Sequence, residues 1–564
     1  MIHRIVKHGF IPACLLTALP VYAATPINLS HQPVSFLLKL SSQEVSSQQI
    51  KFDEISRSID FNKTTHVRIQ QRYAGYKVWG ADAVVHIPQG GHSFKTMNDV
   101  LNAAKSNNGF MNGTVYQNLK ADLDQAPKTI FTKAAAKKAT ETGIESFQHE
   151  IGGKVAPQEI SNELVVYIDK NNKAHWAFKV NFYVDPIKEG TAPSKPVYIL
   201  DATTLKVYEY WDDIQTLQDG DDEEKVEVSA GGFGGNIKMG KLAYDGLESD
   251  LAKLTMLREK TTNQCYLQND EVFVKKYSTQ KAMSFDCEKP DEEHGNIYWD
   301  ADFDAVNDGY SPGNDALFGG AVIKAMYKKW YDKEVLVNAD GTPMLLTMVV
   351  HLPSYDNAYW DGRKMSFGDG RVLFYPLTSL GVAAHEISHG FTQQHSNLIY
   401  RGHSGGMNEA YSDMAAQAAE VFAYGKNSWL LGAEIFKQEG RAIRYYDQPS
   451  KDCRAGREPG QSCSIDEVSQ YHEGLDVHYS SGIYNRAFYL MGTADGWTTR
   501  KAFDVMVKAN TDYWTSGSTF EQGACGVIQA AKDYGYDTET VLSAFTTVGV
   551  DTSECTVPDP SVRS

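Results

Sequence analysis

At 564 residues the chain is too long for one ordinary hydrophobic core, so two to four folding units are expected. A composition of 42% apolar and 22% charged residues excludes a disordered or fibrous protein. The net charge of −17 argues against nucleic acid or an anionic membrane surface as the main partner.

The first predicted element is a leader. Arg4 and Lys7 precede an apolar run over 10–22, and Val21 and Ala23 stand where a signal peptidase reads before Ala24. The run is too short for a permanent membrane helix, so 1–23 is expected to be a secretory signal, with no stable membrane insertion afterwards. Cys14 falls inside it, which leaves Cys265, Cys287, Cys453, Cys463, Cys525 and Cys555. An even number in an exported chain suggests disulfides. Six cysteines allow fifteen connectivities, but their clustering favours Cys265–Cys287, Cys453–Cys463 and Cys525–Cys555.

Strand-like alternation follows at 65–71, 83–87 and 163–168, with a helical segment near 132–142 between the groups. Two small α+β units are therefore expected, 24–130 and 131–218. Next come a charged run over 219–225 and a glycine-rich run over 230–235. Together, 219–235 reads as an exposed linker and a natural cleavage point. Beyond it, 236–380 has β-rich patterns, and 381–564 turns helical at 382–394, 407–424, 482–491 and 499–509. The fold class is α+β, a β-rich lobe followed by a mainly helical lobe, with a cleft at the join.

At that join stands His385-Glu386-Ile387-Ser388-His389. Positions four apart stack on one helix face, so His385 and His389 can aim ring nitrogens at one ion. Glu386 lies about 100° around the helix, beside the ion's open side. Two imidazoles, a carboxylate and a water make the open coordination of catalytic zinc. Two third ligands compete. His395 has the H-E-x-x-H-x-x-G-x-x-H spacing, but that turn needs glycine where Thr392 stands. Glu409 is favoured, with Asp413 one turn on to orient a ligand histidine and Asn408 beside it in the same supporting role. His395 is then expected to be an exposed helix-end residue.

Residues 231–550 resemble the thermolysin family of secreted zinc endopeptidases, especially its pseudolysin branch. The matching stretches are Asn357-Ala358-Tyr359-Trp360-Asp361-Gly362, the metal helix, 404–415, and Asp476-Val477-His478-Tyr479-Ser480-Ser481-Gly482. The resemblance implies Glu386 as general base, and His478 and Tyr400 as donors to the developing oxyanion. It also implies Asp476 (Glu473 as the weaker alternative) orienting His478, and substrate backbone held by Asn357, Ala358 and Arg444. Leu377, Val382 and Ile443 match an apolar pocket for the residue after the cut, predicting cleavage before Leu, Phe or Val. The first half resembles the family's propeptide, a folding aid and inhibitor until removed. Partners are then protein and peptide substrates and the chain's own propeptide, and the mature form is expected to be a monomer. One departure concerns structural calcium. Gly381, Gln417 and Ser428 stand where relatives carry acids and only Glu420 remains, so that calcium site is expected to be weak or absent.

Overall fold

The computed structural model describes residues 24–42, 50–90, 94–123, 131–185, 193–212, 225–247, 251–454 and 456–555. The expected signal at 1–23 and the charged run 219–224 lie outside the described residues.

The two expected N-terminal units share one nine-stranded sheet. Strand Tyr76–Ile87 joins them. Its second half pairs antiparallel with Phe110–Gln117, while Lys77 and Val78 run parallel to Val165 and Val166 of Gln158–Ile168. Gly80 lies between the two pairings at φ +74°, which lets the strand change partners. Helix Lys133–Glu150 packs on this sheet through Ala139, Gly143 and Phe147.

The glycine-rich part of the expected linker is a strand. Lys225–Asn236 pairs with Leu254–Glu259, Gly240–Ala243 and Tyr298–Asp300 in a six-stranded sheet. Its glycines admit the start of a helix: a Cβ at Gly232 would stand 2.1 Å from Asn314 Nδ2, and one at Gly234 2.0 Å from Asp315 Oδ1. The Gly235 N–H instead donates to the Asp315 carboxylate at 2.9–3.0 Å. That helix, Pro312–Tyr331, interrupts the expected β-rich stretch. Ser311 caps it, accepting from Asn314 N–H, and proline opens its first turn. Burial on most sides leaves no polar stripe to betray it.

A second sheet of four strands runs Val272–Lys276, Leu346–Leu352, Lys364–Gly368, Ala358–Trp360. Against it and the Pro312–Tyr331 helix lies Leu380–Gln394, carrying the H-E-x-x-H pattern. It is buried nearly all round: a Cβ at Gly390 would meet Leu336 and Trp360 at 2.8 Å, and one at Gly319 of the neighbouring helix would lie 2.9 Å from the Ala383 Cβ. Helices Gly402–Tyr424, Gly482–Gly492, Thr499–Lys508, Phe520–Tyr534 and Thr538–Thr547 complete the second lobe. The three disulfides join Cys265–Cys287, Cys453–Cys463 and Cys525–Cys555, the pairs the clustering favours.

Candidate active site

Helix Leu380–Gln394 sets His385 and His389 one above the other, and their Nε2 atoms meet at 3.0 Å. Helix Gly402–Tyr424 crosses beneath and adds Glu409, its carboxylate 3.6 Å from His385 Nε2 and 3.3 Å from His389 Nε2. The other ring nitrogens face oxygens. His385 Nδ1 lies 2.8 Å from Asp413 Oδ1, and His389 Nδ1 2.8 Å from Asn408 Oδ1. Asn408 Nδ2 donates to Leu398 O, which fixes its oxygen toward the histidine. Protons on both Nδ1 atoms leave two Nε2 lone pairs and a buried carboxylate converging on one point. Such a donor set repels itself unless a cation stands between, and its nitrogen-plus-carboxylate chemistry fits zinc.

The family profile for the thermolysin metallopeptidase catalytic domain matches 244–393, and that for the thermolysin metallopeptidase alpha-helical domain matches 396–550. A Fungalysin/Thermolysin propeptide motif matches 54–93. The chain is 45% identical to the zinc metalloproteinase MspA of Legionella longbeachae, over 95% of this chain and 96% of the other. It is 43% identical to the zinc metalloproteinase of Legionella pneumophila (96% of each chain), and 37% identical to the neutral protease of Vibrio proteolyticus (97% and 81%). The chain belongs to the thermolysin family. It is a zinc metalloendopeptidase that carries the family's propeptide motif.

In this thermolysin-family chain a cleft of about 330 Å³ opens over the two histidines and Glu409. Asn357, Ala358, Leu377, Val382, Ile443, Arg444, Tyr400 and His478 all line it. Glu386 lines it too, buried to 7% exposure. Burial lifts its carboxyl above the usual range, while the charges of His385 and His389 pull the other way.

His478 arrives on a short helical turn, Val477–Ser480, pressed onto the Gly402–Tyr424 helix. Two glycines make the approach possible, since a Cβ at Gly405 would lie 2.3 Å from Val477 and one at Gly406 2.5 Å from Ser480 Oγ. Asp476 caps the turn, accepting from His478 N–H at 2.9 Å and facing its Nδ1 at 2.7 Å. The hydrogen bond to His478 holds the Asp476 carboxyl below the ordinary range. His478 Nε2 lies 3.2 Å from the Tyr400 hydroxyl, which itself donates to Glu409.

Arg444 is more enclosed than a purely substrate-facing residue. Its guanidinium stands 3.3 Å from Asp413 and 3.5 Å from Glu409, tying a ligand carboxylate to a supporting one. His395 is a correction: it ends the metal helix but is partly buried, its ring stacked 4.0 Å from Phe391 and bonded to the Phe391 carbonyl. Burial pushes it down to about 4.

Sequence reasoning missed Leu431 and Tyr355, which line the cleft, and Asn485. Asn485, 1% exposed on helix Gly482–Gly492, donates to Asp413 Oδ2 at 2.7 Å and so helps turn Oδ1 toward His385. Asn485→Leu is expected to lower zinc affinity about 10- to 100-fold. Competition with a colorimetric chelator checks this, and unchanged zinc retention would refute it.

Around Gln417, Glu420 and Ser428, where the sequence lacks most of the calcium acids, hydrogen bonds tie a loop to the helix. Gln417 Oε1 accepts from Asn427 and the Trp429 N–H and its Nε2 donates to Leu430 O, while Glu420 accepts from the Ser428 N–H. Burial pushes Glu420 up to about 7. A carboxyl raised in the folded state favours folding when protonated, and that advantage is lost as pH rises from its ordinary 4.5 through about 7. Glu420→Gln should therefore raise thermal stability at pH 8, by on the order of 1 kcal/mol, with little effect near pH 4.5. A lower melting temperature in calcium buffer would mean that Glu420 holds an ion.

Proposed function

We propose that this peptidase is exported as a preproenzyme and cuts peptide bonds on the N-terminal side of bulky apolar residues. The observation carrying the mechanism is the set of side chains facing one cleft: His385, His389 and Glu409 below, Glu386 to one side, Tyr400 and His478 opposite. His385, His389 and Glu409 would hold the zinc ion, which would supply Lewis acidity toward a peptide carbonyl and a nearby water. Glu386 takes the proton of the attacking water and later delivers it to the leaving amine. Tyr400 and His478 donate to the oxygen on which negative charge develops, with Asp476 keeping the His478 ring in place. Asn357, the Ala358 main chain and Arg444 hold substrate backbone, the planar guanidinium gripping a carbonyl in fixed geometry.

Leu377, Val382 and Ile443, joined by Leu431, give the pocket after the cut an apolar wall. Digestion of a mixed peptide library should therefore yield new N-termini rich in Leu, Phe and Val. Charged residues at that position would overturn the assignment.

Export and the inhibitory role of the front half belong to the same proposal. Support for export comes from the leader-like residues 1–23 and three disulfides. No described helix is long and apolar enough to cross a membrane. Asp212, at the end of the last propeptide strand, lines the catalytic cleft, which suits a segment that blocks substrate until it is removed. The maturation bond belongs to the 219–235 segment, and burial of residues 230–232 and 234–236 favours its part ahead of Ala230.

A further inference from the structure

The propeptide grips the helical lobe at the end of helix Thr499–Lys508, where one π-helical turn, Ala509–Tyr513, turns carbonyls outward. Arg68 donates to Trp514 O at 2.9 Å and lies 3.7 Å from Asp82, which accepts from Ser516; Asn112 donates to Tyr513 O. Beside these contacts is a buried polar socket. From the propeptide come Asp60, His66 and His86; from the helical lobe come Lys508, Asp512 and Asp533. Lys508 Nζ reaches Asp60, Asp512 and Asp533 at 2.7, 2.9 and 3.2 Å. The Lys508 ammonium stands among these acids, so Asp60, His66 and Asp512 surround a lysine rather than an open metal position.

His66 and His86 are 3% and 0% exposed, on adjacent strands at directly opposed positions. Their Nδ1 atoms stand 2.7 Å apart. His86 Nε2 faces Asn112 Oδ1 at 2.5 Å, and that amide's nitrogen is already committed to Tyr513 O. His86 must therefore donate at Nε2 and accept at Nδ1, leaving His66 as the donor between them. His66 Nε2 points at Asp60 (3.3 Å) and Asp512 (3.8 Å). The His86 ring is fully buried, covered by Phe110 at 4.3 Å and Tyr513 at 5.1 Å. A second proton on His86 would set N–H against N–H across 2.7 Å, between two buried rings.

We propose that this histidine pair makes the propeptide's grip on the helical lobe acid-labile, so that the docked precursor opens as the medium acidifies. The inference rests on the reading of the front half as a docked inhibitor. Burial, and then the charge of His66, hold His86 well below its ordinary 6.5; Lys508 acts the same way, while Asn112 and Asp512 oppose. A histidine depressed in the docked state favours docking fully above 6.5, and that advantage is lost as pH falls below it. Asp60 and Asp512 are also held below the carboxylate range, so their contribution is lost only near and below their ordinary 3.8. Within this socket the interval between 6.5 and about 4 therefore belongs to His86, at about tenfold in the docking equilibrium per pH unit.

The test is amide hydrogen exchange on the full chain carrying Glu386→Gln, which keeps the propeptide attached, with protection factors corrected for the intrinsic pH dependence of exchange. Between pH 7 and pH 5, protection across residues 509–516 and 65–73 should fall about thirtyfold, while helix Leu380–Gln394 stays protected. Adding His86→Gln, whose amide can still accept from His66, should remove the pH dependence. His86→Phe, which keeps the ring stack, gives a second neutral variant. Equal protection at both pH values, or a fall that persists in both variants, overturns the proposal. Absent protection of 509–516 already at pH 7 would instead overturn the docked-inhibitor reading.

Discussion

Glu386→Gln is expected to retain zinc, lose casein hydrolysis by about 10²- to 10⁴-fold, and accumulate as an uncut precursor. The substitution leaves the ligand cluster alone, because His385, His389 and Glu409 meet one another and not the Glu386 carboxylate. Glutamine fills the same volume in a site 7% exposed, so folding should be unaffected. What is lost is a proton acceptor at the cleft wall. Burial places that carboxyl above the usual range, suiting it to take a proton near neutrality and return it to an amine. Zinc content, casein turnover and the precursor band report three separate things. Persistent turnover would remove Glu386 from the mechanism, normal maturation would assign processing to another protease, and lost zinc would mean that Glu386 supports the metal.

The metal site was legible because its grammar is local. Two histidines four apart share a helix face, and Glu409 and Asp413, also four apart, share one on the next helix. The cysteine pairs were legible from clustering, since each closes a loop of 10 to 30 residues. Buried close approach was not legible. The glycine run 231–235 has the composition of a linker, yet its missing side chains are what let Asn314 and Asp315 lie against a strand. Helix Pro312–Tyr331 hid for a related reason: with both faces covered it has no amphipathic period, and only the Ser311-Pro312 cap marked its start. The joining of the two propeptide units depends on Lys77 and Val78 meeting Val165 and Val166, nearly ninety residues away. Asn485 escaped likewise, because its partner Asp413 lies 72 residues back in the chain.

Asp413→Ala should be among the most damaging single changes in the catalytic half, and for two separable reasons. Asp413 is 0% exposed, and its carboxylate faces His385 Nδ1 at 2.8 Å, accepts from Asn485 and pairs with Arg444 Nε at 3.3 Å. Removing it leaves the buried Arg444 guanidinium with Glu409 and the weaker pull of Asp452. Losing the nearest partner of a buried charge costs up to about 3–5 kcal/mol, which at about 2–4 °C per kcal/mol lowers the melting temperature by roughly 10 °C. Separately, His385 loses the oxygen that fixes its tautomer, and zinc affinity should drop about 10- to 100-fold. Adding Arg444→Leu to Asp413→Ala removes the stranded charge, so the double variant should melt above the single one. Zinc affinity should not recover with it, because Arg444 does nothing for the His385 tautomer. If the double variant is no more stable than Asp413→Ala, the cost lies in the cavity and the lost Asn485 contact rather than in the ion pair. If zinc affinity returns with stability, Asp413 acts on the metal only by holding the fold together, and its place behind His385 is structural.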